Sequence, residues 1–81
     1  MDPLDKIFRS DLTEIEKLAQ AFDWVTGQHV EHGEREIELL RAMQDQDMLV
    51  KEQIKLSTLK YARGVFQDCY RRATGRRAWN E

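Results

Sequence analysis

His29 and His32 stand three residues apart between Glu31 and Glu34, a spacing at which two neutral imidazoles on one helical turn can share a transition-metal ion. The frame that would complete such a site, a CxxC or HExxH pattern, is missing, and Cys69 is the sole thiol. Polar turn residues are therefore the expected role of the two histidines, with no metal and no cofactor. Cys69 falls on an apolar stripe, where a thiol packs as a small hydrophobe. Nucleophilic chemistry finds no better footing. Ser10, Ser57, Thr13, Thr26, Thr58 and Thr74 have no neighbouring histidine, Asp45 and Asp47 point to different faces of a helix, and there is no glycine-rich phosphate loop. A thin helical chain also has little interior from which to build a catalytic pocket, so no catalytic residue is assigned and an enzyme is not expected.

Two other patterns point to binding. Arg71, Arg72, Arg76 and Arg77, with Trp79 and the nearby Tyr61, Phe66 and Tyr70, combine guanidinium forks with stackable rings, as a polyanion-binding surface would. Cations at a helix C-terminus equally complement its dipole, and the acidic first half would repel phosphate. The second pattern is a displaced apolar row, Val50, Ile54, Tyr61 and Val65, beside the row formed by Leu56, Leu59, Phe66 and Tyr70. A helix apolar over more than one face needs more than one partner. Trp24, off the main stripe of its own segment, is read with the displaced row as an interface anchor.

The elements that must position these residues are helical. Asp2-Pro3 supplies an N-cap and a first-turn proline, and Leu4, Phe8, Leu12, Ile15, Leu18, Phe22 and Val25 recur at threes and fours, predicting a helix over 3–26 with a break at Ser10 as the variant. Gly27 and Gly33 predict a turn over 27–33. From Glu34 to Thr74 there is no proline, which predicts a long helix over 34–74, kinked or wetted at the polar run Gln44 to Asp47. Pairs at i, i+4, including Glu31 with Arg35, Asp47 with Lys51 and Asp68 with Arg72, support it. Gly75 ends it and leaves 75–81 as a basic tail. The expected fold is an all-α helical hairpin packed into a larger bundle, its core formed by Leu12, Ile15, Leu18, Phe22, Leu56, Leu59 and Phe66.

Charge is unevenly distributed along the 81 residues: 1–48 hold twelve acids against five bases, and 49–81 hold eight bases against three acids. Such a chain favours oriented association, with opposite charge at its two ends as the orienting element. One cysteine and an acidic N-terminus without a long apolar run indicate a cytoplasmic protein without a secretory signal or membrane span, secretion-machine or virion association remaining open. One small domain gains stability from an oligomer or a partner. In outline the chain resembles the small helical-hairpin subunits and chaperones of bacterial secretion machines, and small phage structural or host-modulating proteins. The likeness is one of length and organisation and brings no residue-level motif. The expected function is protein–protein interaction, as an assembly subunit, small chaperone or adaptor in an oligomer or heteromeric complex. The alternative is a regulatory protein that binds nucleic acid or an anionic surface through the basic C-terminal segment.

Overall fold

The computed structural model describes residues 2–80, and among them the secondary structure is entirely helical. Three helices follow in order, α1 (Pro3–Phe8), α2 (Glu14–Met43) and α3 (Gln46–Thr74). α2 and α3 pack side by side as an antiparallel hairpin and α1 folds back on α2. The molecule is a slab of 47 × 32 × 16 Å, one layer of helices thick given a helix diameter of about 10–12 Å.

The helix predicted over 3–26 is interrupted: α1 stops at Phe8, as the variant break near Ser10 allowed, and α2 starts at Glu14 with Thr13 as its N-cap. The Thr13 hydroxyl accepts from the Glu16 amide while the Glu16 carboxylate accepts from the Thr13 amide and hydroxyl, a closed capping box. Ser10 serves instead to finish α1, its hydroxyl donating to the Ile7 carbonyl at 2.6 Å.

The turn predicted over 27–33 does not exist. α2 runs straight through Gly27 and Gly33. A glycine inside a helix costs about 1 kcal/mol relative to alanine, too little to break a segment packed along its length, and both glycines face side chains of α3. A Cβ on Gly33 would sit 3.2 Å from Leu56 Cδ1, and one on Gly27 would sit 3.8 Å from Arg63 Nη1. The hairpin turn falls instead at Gln44–Asp45, inside the polar run first read as a kink. Gln44 takes the left-handed conformation (φ 57°), its amide closes back on Arg41, and the Asp45 carboxylate accepts from the Met48 amide to cap α3. Gly75 (φ 74°) ends α3 as expected.

Moving the turn moves the core. Ile15 and Leu18, expected inside, are 45% and 55% exposed. α2 meets α3 through Ala19, Thr26, Gly33, Ile37 and Leu40, a run of sevens, fours and threes that begins with small residues. Near the turn Ile37, Leu40 and Leu49 cluster with Leu56, and near the chain ends Ala19, Tyr70 and Ala78 cluster with Phe66 and Trp79. Cys69 is exposed rather than packed, because it lies about 100° around α3 from Tyr70. No described helix is long and apolar enough to cross a membrane.

Folding also redirects the charge. α2 carries seven acids against three bases and α3 six bases against three acids. Laid antiparallel, they place negative and positive charge side by side, not at opposite ends of the molecule as the linear sequence suggested. Lys60 meets Glu34 at 3.3 Å and Arg76 meets Glu16 at 3.9 Å across this seam. Lys60 and Glu34 are both about half exposed, and Arg76 is mostly exposed beside a half-buried Glu16, settings in which ion pairs contribute little.

Candidate functional site

Two surfaces gather the residues singled out from the sequence. The first is the end of the hairpin that holds both termini. There the basic tail folds back over the helices, burying Ala78 and half-burying Trp79. Phe22 of α2 stacks on Phe66 of α3 with ring centroids 4.4 Å apart, and Trp79 lies 6.2 and 5.9 Å from those rings. Arg63 joins all three segments. Its Nη2 donates to Asp23 Oδ1 at 2.7 Å and its Nη1 to the Asp23 carbonyl at 3.0 Å and to the Thr26 hydroxyl, while the guanidinium carbon lies 4.8 Å from the Trp79 ring centroid. Only a planar, multiply donating cation can serve these acceptors and lie against a ring at once. Thr26 in turn donates a hydrogen bond from its hydroxyl to the Phe22 carbonyl at 2.6 Å. Sequence reasoning missed this role of Arg63, since Asp23 is forty residues away and becomes a neighbour only when the turn is placed at 44–45.

Between α1, α2 and the tail is an open cleft of about 420 Å³ whose lining includes Ile7, Glu16, Gln20, Trp24, Tyr70 and Trp79. Glu16, at its edge, has its carboxyl held below the ordinary glutamate range, chiefly by the hydrogen bond from the Thr13 hydroxyl, then by the Thr13 amide, with Arg76 adding attraction. Trp24 sits in this cleft half-buried and apart from the displaced row with which it was grouped. Of the five residues read as polyanion contacts, Trp79 is stacked inside the fold and Arg76 approaches Glu16. Arg71 and Arg72 share Asp68 at 3.3 and 3.1 Å, and Arg77 is exposed.

The second surface is the side of α3 turned away from α2. Advancing about 100° per residue, Val50, Ile54, Tyr61 and Val65 fall roughly 180° around the helix from the buried residues Leu49 and Tyr70. They are 52%, 62%, 76% and 45% exposed. α3 is accordingly only weakly amphipathic, its two apolar rows opposing each other. Ser57 and Thr58 fill the middle of the outer row, and Asp47, Lys51, Asp68 and Arg72 border it. α2 also exposes Leu18, Val25, Leu39 and Met43, but His29, His32 and Glu36 interrupt that line. His32 faces Glu36 at 4.0 Å, and among the described residues no three histidine, cysteine or carboxylate side chains converge as a metal site would require.

Set against known protein families, curated proteins and solved structures, the chain finds no match in any of the three. Its functional reading therefore rests on its own residues.

Proposed function

We propose that this chain is a non-enzymatic protein-binding module, an assembly subunit, small chaperone or adaptor, that docks through the outer face of α3. The observation that carries this reading is the exposed row Val50, Ile54, Tyr61 and Val65. Single exposed apolar side chains are ordinary on any surface. Four in register on one helix, bordered by charges of both signs, have the make-up of an interface core with its polar rim. Tyr61 is the natural anchor, since tyrosine brings a large contact area at small entropic cost. Polyanion binding is the less favoured reading, because Trp79 is stacked in the fold and Arg71 and Arg72 already share a carboxylate.

A photo-crosslinking amino acid at position 61, compared with one at the exposed position 29 on α2, tests the reading in an extract of the source cells. A discrete protein adduct from position 61 and none from position 29 is expected. No adduct, or equal labelling from both positions, would remove the outer face of α3 as a docking surface.

A further inference from the structure

We infer that the partner of this face is a second copy of the same chain, paired antiparallel through α3 about a twofold axis that passes between Ser57 and Thr58. The inference rests on the protein-binding reading of the same face and names its occupant.

The spacing of the row is its own mirror image. Val50 to Ile54 is four residues, Ile54 to Tyr61 seven, and Tyr61 to Val65 four again. Reversing the helix about the midpoint carries Val50 onto Val65 and Ile54 onto Tyr61. Two antiparallel copies therefore meet as Val50 on the partner's Val65 and Ile54 on the partner's Tyr61, each pairing occurring twice. Each large ring meets a branched aliphatic side chain, and the smaller valines meet at the flanks. An unrelated partner would not require this symmetry, whereas an isologous twofold contact does.

The polar groups agree. Thr58, beside the axis, already donates its hydroxyl to the Ile54 carbonyl at 2.9 Å, so covering it leaves no unpaired donor. The charges along the outer row are two acids, Asp47 and Asp68, and two bases, Lys51 and Arg72. The net positive charge of α3 thus lies off this face, on Lys55, Lys60, Arg63 and Arg71. Asp47 stands before the row and Arg72 after it. Antiparallel pairing about this axis sets each Asp47 opposite the partner's Asp68, whose carboxylate Arg71 and Arg72 hold at 3.3 and 3.1 Å, and one turn from the partner's Arg72, whereas parallel pairing would set every charge against its like. α3 would then lie between α2 and the partner's α3, with both its apolar rows covered, and the contact closes at two copies.

The test uses the whole chain with Cys69→Ser, carrying either Val50→Cys or Val65→Cys, under mild oxidation. A mixture of the two should give a disulfide-linked dimer, and neither alone should, because equivalent positions would lie about 22 Å apart along the paired helices at 1.5 Å per residue. Light scattering should show a dimer whose dissociation constant rises about 100-fold or more in Tyr61→Lys/Val65→Lys, with helical circular dichroism unchanged. Efficient linking of Val50→Cys protein to itself would overturn the antiparallel arrangement. A monomer at every concentration, without linking in the mixture, would overturn self-pairing. In that event a position-61 adduct to a different protein still upholds the docking reading, and the absence of any adduct ends both.

Discussion

Arg63 shows how much one side chain can hold together in a layer this thin. Its guanidinium spans α2 and the tail from α3 and is about one-fifth exposed, against a little over a third for Asp23. A lysine offers a single point charge and cannot reach the Asp23 carboxylate, the Asp23 carbonyl and Thr26 while lying against Trp79. Arg63→Lys should cost about 1–2 kcal/mol in urea denaturation, and the Asp23→Asn/Arg63→Lys double variant should lose less than the two single losses combined. Glu16 provides a pH-dependent counterpart. Its pKa is lowered by folding, so its contribution is complete above the ordinary glutamate value of 4.5 and disappears as pH falls through the lower folded value. Glu16→Gln keeps a capping-box side chain and removes the charge. The difference in Tm between wild type and Glu16→Gln should hold steady from neutral pH to just above 4.5 and close in more acidic solution; a difference that persists unchanged well below pH 4.5 would contradict the capping account.

At the scale of the element, every helix boundary is set by local hydrogen bonding rather than by apolar periodicity. Thr13 with Glu16 was legible in the sequence as the T-x-x-E signature, and Asp45 as a cap ahead of Gln46. Neither entered the expected helix bounds, which rest on Ser10 as the variant restart and on Gly27 and Gly33 as the breakers. Gln44 is the one described non-glycine residue with positive φ, a conformation that costs an ordinary side chain about 1 kcal/mol. Gln44→Gly should therefore stabilise the chain by about 0.5–1 kcal/mol, read as a higher urea midpoint with an unchanged slope. Destabilisation would mean the turn depends on the glutamine side chain.

For the whole molecule, the controlling fact is that one layer of helices buries so little. Among the buried apolar side chains of the described residues only Ala19 is fully shielded, and the core is two small clusters at opposite ends of the hairpin. Chains of this size commonly draw stability from association. If two copies cover the outer row of α3, the folded state gains by mass action. The Tm should rise with protein concentration for the wild type and stay constant for Tyr61→Lys/Val65→Lys. A wild-type Tm independent of concentration would show the fold to be self-sufficient.

The sequence by itself determined the all-α class, the stop at Gly75 and the existence of a second apolar row on α3, and offered the break near Ser10 as a variant of a continuous first helix. Each follows from capping chemistry, proline and glycine placement, or helical periodicity, all of which act between residues a few positions apart. Only the tertiary structure decided where the hairpin turns, and with it which face of α2 is buried, that the charges lie side by side, and that Arg63 meets Asp23 and Trp79. The contact face of α2 opens with Ala19, Thr26 and Gly33, residues too small to register as an apolar stripe. Their value lies in letting α3 approach, which exists only once α3 is there.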